Sequence, residues 1–137
     1  MRTAVDSSVL LDVFSADPEF GERSRAALRR AYDSGALVAC DIVWAEVRAH
    51  FPDHDAFAEA LRPLGVTFDP LSADAARAAG ELWRDYCHRV RKQRSRVVAD
   101  FLIGAHALHR ADALLCRDRG YYREQFSGLH LIDPTSE

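Results

Sequence analysis

Four acidic residues stand at positions where carboxylates can act together: Asp6, Glu46, Asp100 and Asp118. Asp6 and Asp118 each follow a short apolar run that is typical of a buried strand. In open parallel sheets the ligand site lies beyond the carboxyl ends of the strands, so both side chains can reach one crevice. Glu46 and Asp100 lie among apolar residues of predicted helices, where a carboxylate needs a partner. The sequence therefore predicts one cluster of carboxylates.

The chemistry of this cluster follows from its charge. If the four groups converge within ~6 Å, each ionised pair costs about 3 kcal/mol at an effective dielectric constant of 20. Lys92 is the only lysine, and an all-oxygen ligand set suits Mg²⁺ or Mn²⁺. Such an ion binds phosphate oxygens and activates water, which implies phosphodiester hydrolysis. Taken singly, Asp6 or Asp100 could merely cap a helix and Glu46 could pair with an arginine; the joint pattern favours a metal site.

The elements that position these acids alternate between strand and helix. Short continuous apolar strands separated by helices are typical of a parallel sheet that is covered on both faces. This predicts an α/β fold, a three-layer α/β/α sandwich with a central, mainly parallel sheet. The 137 residues and 15.3 kDa fit a single domain spanning residues 1–137. Strands are predicted at residues 3–5, 37–40, 66–68, 113–116 and 129–132, and helices at 18–33, 53–61, 98–108 and 121–126, with three more beginning after Ser8, Asp41 and Ser72.

The environment of the protein follows from what the sequence lacks. No apolar run approaches the ~20 residues of a membrane span, and no secretory signal is visible at the N-terminus. Cys40, Cys87 and Cys116 are odd in number and far apart, which predicts reduced core residues rather than a disulfide framework. We therefore expect a cytoplasmic protein that makes no membrane contact.

The formal net charge of −3 conceals an asymmetry, because residues 1–83 carry −6 and residues 84–137 carry +3. Arginines crowd the segments next to two of the acids. Guanidinium groups beside a metal site suit contacts with phosphate and the RNA backbone, although a solvated helix face is the commoner role of such runs. Gly104, one turn after Asp100, leaves room either for substrate or for helix packing. The candidate substrate-binding residues are Arg94, Arg96, Arg117 and Arg119.

Five segments together resemble one known family. They are VDSSVLLDVF (5–14), WAEVRAHF (44–51), VVADFLIGAHAL (97–108), ADALLCRDRGYYREQF (111–126) and LHLIDP (129–134). In this order they resemble the PIN-domain family, and most closely its VapC-type toxin ribonucleases. Each motif is weak alone, but four acids in the expected contexts make the combination specific.

The resemblance implies a single α/β/α domain that cleaves RNA endonucleolytically with Mg²⁺ or Mn²⁺. It maps the metal-binding and catalytic acids onto Asp6, Glu46, Asp100 and Asp118, and it makes Ser8 a candidate for orienting a carboxylate or water. A cognate antitoxin protein as inhibitor and a homodimeric state are further implications. Some relatives carry another acid just after the fourth, where this chain has Arg119, so a second tightly held ion is not expected.

Three other functions fit parts of the pattern. A phosphoreceiver-like signalling domain has a similar carboxylate cluster, but it uses a lysine after its last strands, and Lys92 lies elsewhere. A haloacid-dehalogenase-like phosphatase needs an aspartate where this chain has Ser8. A PIN-like module that binds RNA or a partner without cutting stays open. The sequence predicts a metal-dependent endoribonuclease, the toxin of a type II toxin–antitoxin pair.

Overall fold

A five-stranded, all-parallel sheet forms the centre of the computed structural model, which describes residues 1–92, 96–118 and 120–136. The strand order is β3-β2-β1-β4-β5. Ala4 in β1 pairs with Val38 on one side and with Leu114 on the other. The bounds are β1 Arg2–Val5, β2 Ala36–Ala39, β3 Val66–Phe68, β4 Ala113–Leu115 and β5 Leu131–Ile132.

Helices connect the strands, as parallel pairing requires. Their bounds are α1 Ser7–Phe14, α2 Gly21–Ser34, α3 Asp41–Arg48, α4 His54–Leu61, α5 Ala73–Arg89, α6 Val98–Arg110 and α7 Tyr121–Gln125, with a 3₁₀ turn at Arg62–Leu64. Helices α1 to α4 pack in one group, and α5 packs along α6 in another. Because the chain crosses from β3 over the sheet to β4, right-handed crossovers place the two groups on opposite faces. The predicted three-layer α/β sandwich is confirmed.

The central strands read as unbroken apolar runs because both faces of the sheet are covered. Every residue of β4 is buried, as are three of the four residues in β1 and in β2. The predicted strands all form, with ends that shift by up to two residues. Cys40 and Cys116 are buried in the core, as predicted, whereas Cys87 is only half-buried.

Side-chain caps mark the starts of three of the described helices, α1, α4 and α5. Asp53 caps α4 and Ser72 caps α5, each accepting a bond from a backbone amide three residues on. The start of α2 differs from the prediction. Asp17 accepts bonds from the amides of Glu19 and Phe20, which forms a separate turn, and the helix begins at Gly21 instead of residue 18.

The close packing of α6 decides the role of Gly104. A Cβ atom on Gly104 would overlap Cε2 of Phe126, so only a residue without a side chain fits there. Helix packing, rather than room for substrate, accounts for this glycine. In the described parts of the chain, no helix is long and apolar enough to cross a membrane.

Candidate active site

Two of the predicted acids lie just beyond the carboxyl ends of neighbouring strands, at the same edge of the sheet. Asp6 directly follows β1, and its amide donates to the carbonyl of Leu115 at 2.9 Å, which extends the ladder between β1 and β4. Asp118 lies three residues beyond the end of β4. Glu46 lies on α3, which follows the carboxyl end of β2, and Asp100 lies in the first turn of α6, which packs against both α3 and β1.

Asp6 is the most constrained of the four acids. The residue is 8% exposed, and both carboxylate oxygens accept hydrogen bonds. Oδ2 accepts from the Ser8 hydroxyl at 2.5 Å and from the Ser8 amide at 3.2 Å, while Oδ1 accepts from the Tyr122 hydroxyl at 3.3 Å. Burial raises the pKa of Asp6, the bonds from Ser8 and Tyr122 oppose this, and repulsion from Asp100 adds to the rise. Asp6 is therefore both the cap of α1 and part of a group of like charges.

Glu46 belongs to the same group of charges. It is exposed as a residue, but its Oε1 accepts a bond of 3.0 Å from the Ser7 hydroxyl across the gap between α1 and α3. Partial burial of the carboxyl is the main cause that raises the pKa of Glu46, and repulsion from Asp6 and Asp100 raises it further. Three predicted site residues thus influence one another electrostatically.

Asp100 combines two roles that the sequence left open. Its Oδ2 accepts a bond of 3.2 Å from the amide of Val97 at the start of α6, so it stabilises the helix end. The half-buried carboxylate also faces Asp6 and Glu46 closely enough to raise the pKa of each. Capping the helix and joining the acidic group are therefore compatible.

Asp118 makes a different set of contacts. Its side chain is fully buried, and Oδ1 accepts from the Tyr122 amide at 3.0 Å, while its own amide lies 3.3 Å from Oδ2 of Asp133. Among the described residues Oδ2 has no hydrogen-bond partner, and the nearest cation is Nε of Arg123 at 3.7 Å. Tyr122 is the contact that Asp118 shares with Asp6.

The donor chemistry fits a hard divalent cation that keeps part of its water shell. Within residues 1–92, 96–118 and 120–136, no three His, Cys, Asp or Glu side chains are gathered tightly enough to ligate one ion together. Mg²⁺ is usually held by one or two carboxylates and several waters, so full convergence is not required. A buried carboxylate oxygen without a hydrogen bond, such as Oδ2 of Asp118, is an atom that a nearby cation would stabilise. Asp6, Glu46, Asp100 and Asp118 are the residues that could hold such an ion.

The family model for the PIN domain matches residues 3–126, which is most of the chain. The chain belongs to the PIN domain family. The resemblance found in the sequence is confirmed at the level of the family. No curated protein sequence is detectably similar to this PIN domain.

Solved structures share the fold of this PIN domain. VapBC2 from Rickettsia felis, bound to a promoter DNA fragment, superposes with a TM-score of 0.71 at 17% identity, covering 97% of this chain and 98% of that one. A toxin–antitoxin complex from Klebsiella pneumoniae gives 0.68 at 20% identity, covering 98% and 99%. The Mycobacterium tuberculosis toxin VapC20, which cleaves the sarcin–ricin loop, gives 0.59 at 17% identity, covering 89% and 93%.

The arginines predicted to bind substrate have different surroundings in this PIN domain. Arg117 forms two hydrogen bonds with buried Asp12, at 2.7 and 3.0 Å, and its guanidinium lies 4.2 Å from the ring centroid of Phe20. The guanidinium of Arg96 lies 4.3 Å from the ring centroid of Tyr121. Arg94 and Arg119 lie outside the described residues. Arg117 is therefore engaged in holding the fold, a role that the sequence did not reveal.

Sequence reasoning missed three residues that support the acids and a fourth that holds Arg117. Ser7 bonds Glu46, Tyr122 bonds Asp6, Asp12 pairs with Arg117 and Asp133 holds the amide of Asp118. Asp133 directly follows β5, so the strand-exit argument that selected Asp6 also applies to it. Ser7, Tyr122 and Asp12 carry no such sequence signal, because their partners are distant in the sequence.

Proposed function

We propose that this PIN domain is an endoribonuclease that depends on Mg²⁺ or Mn²⁺ and hydrolyses RNA phosphodiester bonds. The observation that carries the proposal is the electrostatic group of Asp6, Glu46 and Asp100 at the carboxyl edge of a PIN-family sheet. Burial and mutual repulsion raise the pKa values of Asp6 and Glu46. Perturbed pKa values with a specific charged neighbour cluster at functional sites, so this group is a candidate site.

The four acids would have different roles at the ion. Asp6, fixed through both oxygens, and Asp100 would contact the ion directly or through water, and the buried Asp118 would contribute from the neighbouring strand exit. Glu46 is more exposed than the other acids and is held by Ser7, so it would orient water at the solvent-exposed side of the site. When bound, the ion supplies an activated water and stabilises charge on the phosphate. Ser8 would keep Asp6 in its orientation.

The proposed substrate is RNA, gripped by the basic side chains near the acids. The guanidinium of Arg96 lies over the ring of Tyr121, which is next to Tyr122 in the chain. Arg94 is two residues before Arg96, and Arg119 directly follows Asp118. Because the charge of Arg117 is paired with Asp12, Arg117 would support the position of Asp118 rather than bind RNA directly. VapC20, a structural neighbour, is described as a toxin that cleaves the sarcin–ricin loop.

We further propose that the protein is the toxin of a type II toxin–antitoxin pair. Support comes from neighbours of nearly equal length that were solved as VapBC or toxin–antitoxin complexes. A cognate antitoxin is then the expected partner, with a homodimer as the expected assembly and the cytoplasm as the location. Co-expression with the protein encoded beside it, followed by co-purification, tests the pairing.

Incubation of the purified protein with structured and unstructured RNA tests the activity. We expect cleavage in Mg²⁺ or Mn²⁺ that leaves 5′-phosphate and 3′-hydroxyl ends and stops in EDTA. A parallel preparation of Asp100→Asn controls for contaminating ribonucleases. Cleavage that survives EDTA, or that the variant performs equally well, would rule out this mechanism. Tight RNA binding without cleavage in any metal would instead favour the non-cleaving PIN-like module.

A further inference from the structure

Tyr122 is the residue that contacts two of the four predicted acids. Its hydroxyl lies 3.3 Å from Oδ1 of Asp6, and its amide nitrogen lies 3.0 Å from Oδ1 of Asp118. We propose that Tyr122 is a positioning residue, which holds the carboxylate of Asp6 in the orientation that binds the divalent ion. The inference rests on the proposed function, since it concerns the same acidic site.

The position of the Tyr122 hydroxyl is set from both ends of the residue. The hydrogen bond that the Tyr122 amide donates to Asp118 fixes the backbone at the start of α7, and the residue is 5% exposed. The ring centroid lies 4.8 Å from that of Tyr121 and 6.2 Å from that of Phe126. Phe126 in turn packs where Gly104 lacks a side chain. The hydroxyl is therefore held at one point in a close-packed interior.

The hydroxyl acts as a hydrogen-bond donor. Its oxygen lies 3.3 Å from Oδ1 of Asp6, and an ionised carboxylate oxygen can only accept a hydrogen bond. Ser8 donates to Oδ2 of Asp6, and Tyr122 donates to Oδ1. With Ser8 bound to one oxygen and Tyr122 to the other, the carboxylate plane cannot rotate without breaking a hydrogen bond. Removal of Tyr122's bond leaves Asp6 anchored on one side only.

Outer partners that orient a metal-binding carboxylate commonly change metal affinity about 10- to 100-fold when they are removed. A tyrosine that only packs would show a different result, because phenylalanine keeps the ring and its contacts. The two roles are therefore separable by the single oxygen atom of the hydroxyl. Metal affinity, rather than folding, is the quantity that distinguishes them.

Tyr121 supplies a matched control next in the chain. It is as buried as Tyr122, and within the part of the chain that the structure describes its hydroxyl has no hydrogen-bond partner. Tyr122→Phe and Tyr121→Phe each remove one buried hydroxyl from α7. Only the first removes a donor to Asp6.

The experiment measures Mn²⁺ dissociation constants by calorimetry for the wild type and both variants, beside the melting temperature of each metal-free protein. We expect the constant of Tyr122→Phe to rise about 10-fold, and that of Tyr121→Phe to stay within about twofold. The Mn²⁺ concentration that gives half-maximal RNA cleavage should rise in parallel, with most of the rate recovered at saturation.

Two results overturn the inference. One is a Tyr122→Phe protein that binds Mn²⁺ as tightly as the wild type, which leaves the proposed nuclease activity intact. The other is an equal loss of affinity in both variants, which would show a general packing effect. Wild-type protein that binds Mn²⁺ but cuts no RNA would refute the proposed function while the affinity comparison still decides the role of Tyr122. Wild-type protein that binds no Mn²⁺ would refute both.

Discussion

Arg117 joins the loop after β4 to helix α1 through Asp12. Its Nε donates to Oδ2 of Asp12 at 2.7 Å, and a terminal nitrogen donates to Oδ1 at 3.0 Å. The side chain of Asp12 is 5% exposed, and Ser24 supplies its further bond at 2.8 Å. Because Arg117 directly precedes Asp118 in the chain, this pair sets the position of one predicted acid relative to α1.

Arg117→Met should lower the free energy of unfolding by about 2 to 3 kcal/mol, because it leaves the buried Asp12 carboxylate with Ser24 alone. Urea unfolding in EDTA measures this change. Arg77→Met is the control, since Arg77 pairs with Glu81 on an exposed face of α5 and should cost less than about 0.5 kcal/mol. Unchanged stability of Arg117→Met combined with weaker RNA binding would show that Arg117 serves the substrate instead.

A second network, around Asp69, should give the fold a measurable dependence on pH. Asp69 accepts bonds from Arg110 and His106 and pairs with Arg2 at 2.7 Å. The bonds from Arg110 and His106, with the charges of Arg110 and Arg2, hold the pKa of Asp69 well below its ordinary value against the effect of burial. A depressed pKa contributes stability that is complete above the pKa of the unfolded carboxyl, near 4, and is lost as pH falls toward the folded value.

The stability difference between the wild type and Asp69→Asn should therefore shrink by about 1 kcal/mol between pH 5 and pH 3. Denaturant unfolding at fixed ionic strength across this range provides the measurement. A difference that stays constant with pH would contradict the ionic role of Asp69.

Two glycines on neighbouring helices should respond in opposite directions to alanine. Gly104→Ala should lose about 1 to 3 kcal/mol, because the new methyl group would overlap the ring of Phe126. Gly80 is exposed on α5, where an added methyl group would meet no neighbouring atom within 4 Å, so Gly80→Ala should gain up to about 1 kcal/mol from helix propensity. Thermal unfolding of both variants measures these changes. Equal changes in melting temperature for the two variants would contradict the close approach of α6 to Phe126.

The order of elements was predictable because short apolar strands and capped helices leave a clear periodic signal. Val5, Leu37 and Leu114 lie in runs buried on both faces. The start of α2 was missed because Asp17 and Pro18 carry a helix-start signal, while the Asp17 carboxylate closes a turn of its own. Local capping patterns cannot distinguish these two uses of one aspartate.

The acids of the site were predictable from strand exits and from misplaced charges, but their supports were not. Tyr122 carries no local sequence signal of its role, because only tertiary packing brings its hydroxyl to Asp6. Arg117 looked like a phosphate contact because its partner, Asp12, is 105 residues away in sequence. Contacts of this kind depend on side-chain geometry across elements, which a single sequence does not encode locally.

Divalent metal should stabilise the fold if the acids share an ion. Mn²⁺ at about 100 times its dissociation constant adds about 2.7 kcal/mol, which raises the melting temperature by about 10 °C for a domain of this size. EDTA-treated wild type supplies the baseline, and Asp100→Asn should lose most of the rise. A Mn²⁺ shift of the same size in Asp100→Asn would place the ion away from the predicted acids.

The most direct test compares RNA cleavage by the wild type, Asp6→Asn and Asp33→Asn in Mn²⁺ at equal folded protein. Asparagine keeps the shape of Asp6 and removes its charge, while Asp33 is exposed on α2, away from the acids. We expect Asp6→Asn to lose on the order of 100-fold or more in rate, because a carboxylate that holds the ion is removed, and Asp33→Asn to match the wild type. Cleavage by folded Asp6→Asn at the wild-type rate would contradict the assignment of this acidic group as the catalytic centre.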